Sequence, residues 1–200
     1  MSQALARAQE FLKTSHLYRL GALPTEGRHP STMNLSVWAN EDLDQAISSM
    51  VSVDRDALLK LAEKTDEILR LRSDIQSTLK NKGRIFMCGC GATGRLSMTL
   101  EYLWRELFPG SESVQSFMAG GDMALVHSLE GFEDYPEYGA RHLEELGFRD
   151  GDLLIASTEG GETPFVIGAT ERAAEISKIS PYYLYCNPDD VLVAFVERSK

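Results

Sequence analysis

From Arg84 onward, short apolar runs alternate with stretches of helical periodicity, and this alternation constrains the fold more than any other feature of the sequence. The predicted strands are 85–88, 114–118, 153–157 and 182–186, and the predicted helices are about 94–108, 136–146 and 164–179. Nearly continuous apolar strands are typical of a sheet that is buried on both faces. The pattern therefore predicts an α/β fold, a three-layer sandwich in which helices cover both faces of a parallel sheet.

The first 80 residues predict a helical N-terminal segment with one irregular stretch, at 21–36, which contains two glycines and two prolines. A short helix is predicted over 41–50, and Asp54 is predicted to cap a longer helix that ends at Gly83. That longer helix carries an apolar stripe, which we interpret as a core face, made of Leu58, Leu61, Ala62, Ile68, Leu71, Ile75 and Leu79. The predicted division is a helical segment over 1–80 and an α/β domain over 81–200.

The charge balance and the apolar runs exclude several classes of function. Thirty acidic and twenty basic residues give a formal charge of −10, which disfavours binding to nucleic acids and to anionic membranes. No apolar run is long enough to cross a bilayer, and the N-terminus lacks the apolar centre of a signal peptide, so a cytoplasmic location is expected. We expect Cys88, Cys90 and Cys186 to be reduced thiols, and we predict no metal and no cofactor.

Ligands of open parallel sheets bind beyond the carboxyl ends of the strands. Four predicted loops lie there, at 89–94, 119–130, 158–163 and 187–190, and all are rich in Gly, Ser, Thr, Asn or Asp. This composition predicts a site for a polar, phosphorylated small molecule.

The first of these loops has the spacing G-x-G-x-x-G at Gly89, Gly91 and Gly94. A dinucleotide site is one interpretation, but its acidic residue would be Asp122, later than the ~20 residues expected. A Walker A loop is disfavoured because no Lys-Ser or Lys-Thr pair follows. A phosphate cradle needs only the amides and dipole of a helix start. The Thr93 hydroxyl would then donate to the anion, unless it only caps the helix.

The third loop repeats this chemistry, since Thr158, two glycines and Thr163 lead into a helix whose first residue is Pro164. Two such loops on neighbouring strands would hold a sugar phosphate between them. Glu159 and Glu162 bring negative charge to the loop, and would accept hydrogen bonds from sugar hydroxyls or point to solvent.

Four segments of the chain resemble a branch of the sugar isomerase (SIS) domains that includes N-acetylmuramic acid 6-phosphate etherase and the glucokinase regulatory protein. The segments are LPTEGRHPSTMNLS, GCGATGRLS, MAGGDMALVHSLEGFED and STEGGETPFVIGA. The resemblance implies a flavodoxin-like sheet, a phosphosugar ligand and self-association into a homodimer. It also implies that the chain lacks the C-terminal part of the family.

The resemblance transfers the phosphosugar site residue by residue. The first phosphate loop, with Thr93 in place of the family's serine, falls on Gly91, Ala92, Thr93, Gly94 and Arg95. The second falls on Thr158, Glu159, Gly160, Gly161, Glu162 and Thr163. Gly160 stands where the etherases have a serine and Glu162 where they have an arginine, and Thr158 is expected to supply the missing hydroxyl.

The two glutamates that the etherases use are matched unevenly. Glu130, in LEGFED, matches one of them, whereas the position of the other holds Leu103, which cannot transfer a proton. Glu101, two residues before it, faces another side of the helix. We therefore expect a phosphosugar sensor with a regulated protein partner, like the glucokinase regulatory protein. The alternatives are an etherase-type lyase or an isomerase with Glu130 as base, and, more weakly, a dinucleotide-binding module.

Several other polar residues near these motifs are not assigned to the predicted phosphosugar site. His127 could replace the lost acid but is interpreted as structural, and His29 with Glu26 could close over a ligand or lie in solvent. Glu133 and Asp134 are interpreted as charges at a helix start.

Overall fold

The computed structural model describes residues 3–14 and 23–192. The helices are α1 (Gln3–Thr14), α2 (Leu35–Glu41), α3 (Leu43–Ala62), α4 (Thr65–Lys80), α5 (Gly91–Leu107), α6 (Pro136–Glu145) and α7 (Pro164–Ile176). The strands are β1 (Ile85–Gly89), β2 (Val114–Met118), β3 (Leu153–Ser157) and β4 (Tyr182–Leu184). The chain divides into two compact units, one from Met1–Thr65 with Asn187–Lys200 and one from Asp66–Cys186. The predicted boundary after residue 80 stays a prediction, and residues 21, 22 and 195–200 lie outside the described residues.

The second unit is the predicted α/β sandwich. Its four strands are all parallel and lie in the order β2-β1-β3-β4. The flavodoxin-like order 2-1-3-4 places its reversal point between β1 and β3. The fold prediction is confirmed, and each predicted strand lies within two residues of its observed bounds.

Alternation along the strands supplies both layers of the core. On one face, Phe86 and Cys88 of β1 belong to a cluster with Leu143 of α6 and Val166 of α7. On the other face, a second cluster of buried residues centres on β1 and β3. It packs against helices α4 and α5 through Ile75, Leu79 and Trp104. A sheet covered on both faces explains why its strands are predominantly apolar on both sides.

Two elements end earlier than predicted. Strand β4 stops at Leu184 because the amide of Cys186 turns away to donate to the carbonyl of Glu159, at 2.9 Å. Helix α7 stops at Ile176 because Ser177 is extended and buried, with its hydroxyl donating to the carbonyl of Asp152 at 2.8 Å.

The helices before the sheet correct the sequence prediction. Helix α3 is continuous through Asp54, so the predicted break after residue 50 and the predicted cap at Asp54 are both wrong. The cap is Asp42, whose carboxylate accepts from the amide of Gln45 at 3.0 Å, and no glycine or proline interrupts the helix after it. The apolar stripe is divided between α3 and α4, and only its end at Ile75 and Leu79 packs on the sheet. Leu58, Leu61 and Ile68 are exposed.

The irregular stretch of the first unit forms two short 3-10 turns, Pro24–Glu26 and Pro30–Thr32. Thr25 is held by the side chain of Asn187, which accepts from its amide at 3.2 Å and donates to its hydroxyl at 2.9 Å. His29 caps the second turn, since its Nδ1 accepts from the amide of Ser31 at 3.2 Å. Within the described part of the chain, no helix has the length and apolarity needed to cross a membrane.

Candidate functional site

The two predicted phosphate loops emerge from neighbouring strands. Strands β1 and β3 pair directly, with Cys88 opposite Ala156. At the next position along β3, the Ser157 hydroxyl donates to the carbonyl of Cys88 at 3.3 Å. The loops that follow these strands therefore start side by side at the point where the strand order reverses, which is where sheets of this class bind ligands.

The glycines of the first loop let α5 start against the strands. A Cβ on Gly94 would lie 2.6 Å from the Cβ of Met118 and 2.9 Å from the carbonyl oxygen of Gly89, too close for any side chain. Gly91 has a φ of +51°, the left-handed region that favours glycine. Helix α5 begins at Gly91, three residues earlier than predicted, so Gly91, Ala92 and Thr93 form its first turn. Amides of a first turn have no acceptor within the helix and point toward an anion position.

Thr93 bonds to the backbone that precedes the helix. Its hydroxyl donates to the carbonyl of Cys90 at 2.9 Å and accepts from the amide of Cys90 at 3.2 Å. Arg95 is exposed, and its guanidinium donates to the carbonyl of Ala124 at 3.1 Å. In this geometry, the first loop offers an anion its backbone amides as donors. The Thr93 side chain stabilises the loop itself, and the Arg95 side chain binds the segment after β2.

The second loop is closed by its own hydrogen bonds. The hydroxyls of Thr158 and Thr163 lie 2.9 Å apart, and the amide of Gly161 donates to the Thr158 hydroxyl at 3.4 Å. The Tyr183 hydroxyl donates to the carbonyl of Gly161 at 2.8 Å. Burial raises the pKa of Tyr183, with smaller contributions from the neighbouring Cys88 and Glu162, so that the hydroxyl remains a donor. Thr158, Gly160 and Gly161 are buried, whereas Glu159 is exposed.

The LEGFED segment is hydrogen-bonded to the start of α7, a contact that sequence reasoning missed. The carbonyl of Glu133 accepts from the amide of Phe165, in the first turn of α7, at 2.9 Å. The Glu133 carboxylate also acts on the first loop, since burial and then Glu133 raise the pKa of Cys90 to about 12, against a lowering by a backbone hydrogen bond from Ala119. Glu130 is exposed in the same segment, next to Gly131, whose φ is +83°. The E-G-x-E-D spacing was the available signal, because its second acidic residue, Glu133, is the one whose carbonyl bonds to α7.

Position 103, where the etherases have a glutamate, lies on an exposed face of α5. Leu103 is 48% exposed on α5. Glu101 is turned toward β2, where its Oε2 accepts from the amide of Ser116 at 2.6 Å and from its hydroxyl at 2.5 Å. Its other oxygen pairs with Arg105 at 2.5 Å. Glu101 is thus committed to the fold and cannot stand in for a carboxyl at 103.

Two further sequence candidates are exposed in the segment after β2. Asp122 is exposed in the 3-10 turn Gly121–Leu125, and His127 is exposed just after it. Burial lowers the pKa of His142 of α6, while the charges of Glu145 and Asp122 act in the opposite direction. Among the residues that the structure describes, no group of three or more His, Cys, Asp or Glu is arranged to hold a metal ion.

Comparisons with known proteins agree with this architecture. N-acetylmuramic acid 6-phosphate etherase from Synechococcus sp. (strain CC9902) is 34% identical over 171 residues, covering 85% of this chain and 53% of that protein. The etherase from Vibrio campbellii (strain ATCC BAA-1116) is 34% identical over 173 residues, covering 85% of this chain and 54% of that protein. The chain thus spans about half the length of the curated relatives it matches.

Among solved structures, a phosphoheptose isomerase from Francisella tularensis superposes with a TM-score of 0.52 at 19% identity. The match covers 79% of this chain and 92% of that one, and it shows the shared fold alone. The family model described as the glucokinase regulatory protein N-terminal SIS domain matches residues 60–174, more than half of the chain. The resemblance inferred from the sequence motifs is confirmed, and the chain belongs to the family of the glucokinase regulatory protein N-terminal SIS domain.

Proposed function

We propose that this protein binds the 6-phosphate of an amino sugar at the β1/β3 edge and cleaves an ether bond on that sugar. The observation that carries the binding proposal is the pairing of β1 with β3, which brings the two glycine loops side by side. The etherase relatives favour this lyase reading over the purely regulatory role expected from position 103. Both the sugar and the reaction are proposals for this chain.

In this proposal, Glu130 is the base. Elimination of a 3-O-lactyl group requires that a base remove the proton at C2, that electrons move into a C2–C3 double bond, and that the lactyl oxygen leave with a proton. Glu130 lies in the same segment as Glu133, whose carbonyl accepts from the amide of Phe165 in the first turn of α7, so this segment lies beside the end of the second loop. The proton for the leaving oxygen comes from solvent or from a carboxyl other than position 103.

Glu130→Gln should lower lactate release from N-acetylmuramic acid 6-phosphate by at least about 100-fold, the usual contribution of a positioned base. Lactate is measured enzymatically on the purified protein. Asp134→Asn is the matched control, because it removes an exposed carboxylate from the same segment and should leave the rate within about twofold. Lactate release that is unaffected by Glu130→Gln would exclude Glu130 as the base.

The second candidate is binding without chemistry, and Leu103 is the observation that favours it. Leu103 is exposed and carries no carboxyl group, and the Glu101 carboxylate is bound to Ser116 of β2. Neither residue can act as an acid on a sugar held by the loops. The same assay separates the two candidates: a protein that binds the sugar phosphate but releases no lactate is a sensor. Its regulated partner would then be a protein, as expected from the resemblance.

We also propose that the protein self-associates through α5. Four leucines on this helix are exposed, at fractions of 45–73%, and their spacing of four, three and four residues forms one seam: Leu96, Leu100, Leu103 and Leu107. Such spacing is typical of a helix that packs against another helix. A second copy presents the same seam, which makes a two-fold contact self-complementary.

Sedimentation equilibrium tests this contact. The wild-type protein should sediment with twice the chain mass, and Leu100→Glu should sediment as a monomer because it places a charge in the seam. Tyr102→Glu, which alters an exposed residue of α5 away from the seam, should remain a dimer. A monomeric wild type, or a dimeric Leu100→Glu, would contradict the proposal.

A further inference from the structure

The side chain of Glu162 folds back into the second loop. A Cβ placed on Gly160 would lie 2.5 Å from Glu162 Oε1 and 2.6 Å from its Cδ, so the carboxylate lies directly over the Gly160 backbone. Its Oε2 is buried. Glu159, two residues after the end of β3, is exposed by contrast. One of the two carboxylates of this loop is therefore inside it, and the other faces solvent.

The Glu162 carboxylate lies just before the start of a helix. The loop precedes the N-terminus of α7, where the helix dipole favours negative charge. The hydroxyls of Thr158 and Thr163 and the buried backbone of Gly161 line the same turn. The Glu162 charge acts on the neighbouring Tyr183, whose pKa it helps to raise after the larger effect of burial.

We propose that Glu162 is an internal anion that occupies the second loop and competes there with the phosphate of a ligand. This inference rests on the proposed phosphosugar site. A phosphate that enters the second loop meets a carboxylate of like charge within contact distance, and the carboxylate must swing out first. The first loop, with the first-turn amides of α5, is then the preferred phosphate position, and Glu162 sets the affinity of the whole site.

The position of Gly160 supports this role for Glu162. A side chain at 160 would meet the folded carboxylate, which would then have to turn out of the loop, so glycine at 160 allows the observed position of Glu162. The etherase pattern has a serine and an arginine at these two positions, which reverses the charge that a ligand meets. The loop therefore keeps its shape while its preference for an anion is lowered.

Isothermal titration with N-acetylglucosamine 6-phosphate tests the inference on the wild-type protein, E162Q, E162S and E159Q. E162Q and E162S should each bind at least about tenfold more tightly than the wild type, a difference of about 1.4 kcal/mol. E159Q is the matched control and should change the affinity by less than about twofold, because its carboxylate faces solvent. Unphosphorylated N-acetylglucosamine should show no gain in either Glu162 variant, since the competition is for the phosphate.

The possible results separate this inference from the proposed function. If the wild type binds the sugar phosphate and the folded Glu162 variants bind it equally or more weakly, Glu162 is no competitor and the inference is overturned alone. If none of the four proteins binds it, the proposed site and the inference are both overturned. Two Glu162 variants are used so that one which melts early does not decide the result.

Discussion

Asp152→Ala should lower the free energy of unfolding by about 3–5 kcal/mol, the cost of breaking a buried ion pair by removing one partner. Asp152 is fully buried, and Arg84 donates to it three times, from its amide to Oδ1 at 2.8 Å, from Nε to Oδ1 at 3.5 Å and from Nη2 to Oδ2 at 2.6 Å. The amide of Arg149 also donates to Oδ2, at 3.1 Å. These bonds join the residue before β1 to the residue before β3, so their loss acts on the two strands that start the candidate site.

Urea denaturation measures the free energy of unfolding of the second unit in the wild type and in Asp152→Ala. Asp56→Ala is the control. Asp56 is exposed in the middle of α3, and its replacement should change the stability by less than about 0.5 kcal/mol. Because Asp152→Ala leaves the amides of Arg84 and Arg149 without their acceptor, Asp152→Asn should recover part of the loss. A change of less than about 1 kcal/mol in Asp152→Ala would show that water or another group replaces the carboxylate.

Gly94→Val should destabilise the protein by about 1–3 kcal/mol and abolish measurable binding of sugar phosphates. Its Cβ would collide with the Cβ of Met118 and with the carbonyl of Gly89, so the start of α5 must move away from the strands. The first-turn amides of Gly91 and Ala92 would then lose their position at the sheet edge.

Thr99→Val is the matched control for Gly94→Val. Thr99 is an exposed residue of the same helix, its replacement is nearly isosteric, and it should bind sugar phosphates as the wild type does. Thermal melting and calorimetric titration on both variants separate a loss of fold from a loss of the site. Wild-type affinity in a folded Gly94→Val would exclude the first loop as the phosphate position.

The sequence predicted the α/β half of the chain well because three local signals agree there. The strands are predominantly apolar, each join carries glycine or proline, and Pro136 and Pro164 begin the helices that they were expected to begin. The first helices were predicted less well, since an aspartate in a helix interior resembles a cap. Asp54 was read as a start signal, but nothing before it in α3 ends a helix, and the cap is Asp42.

The neighbouring positions of the two loops could be predicted from the sequence, and the direction of their side chains could not. Hydrogen bonding decides that direction: the Thr93 hydroxyl turns to Cys90, and the Thr158 and Thr163 hydroxyls to each other. The contact of Glu133 with α7 spans 32 residues, from 133 to 165, and depends on tertiary packing. The burial of Glu162 has the same origin, because sequence alone allowed its carboxylate to face solvent.

Calorimetric titration of the wild-type protein with glucose, glucosamine, N-acetylglucosamine and N-acetylmuramic acid 6-phosphates tests the central claim most directly, with each unphosphorylated sugar beside it. The account predicts saturable binding of at least one 6-phosphate, binding at least about 100-fold weaker for its unphosphorylated partner, and loss of the signal in Gly94→Val. Binding of the sugar with or without its phosphate at equal affinity, or no binding of any 6-phosphate, would contradict a phosphosugar site at the β1/β3 edge.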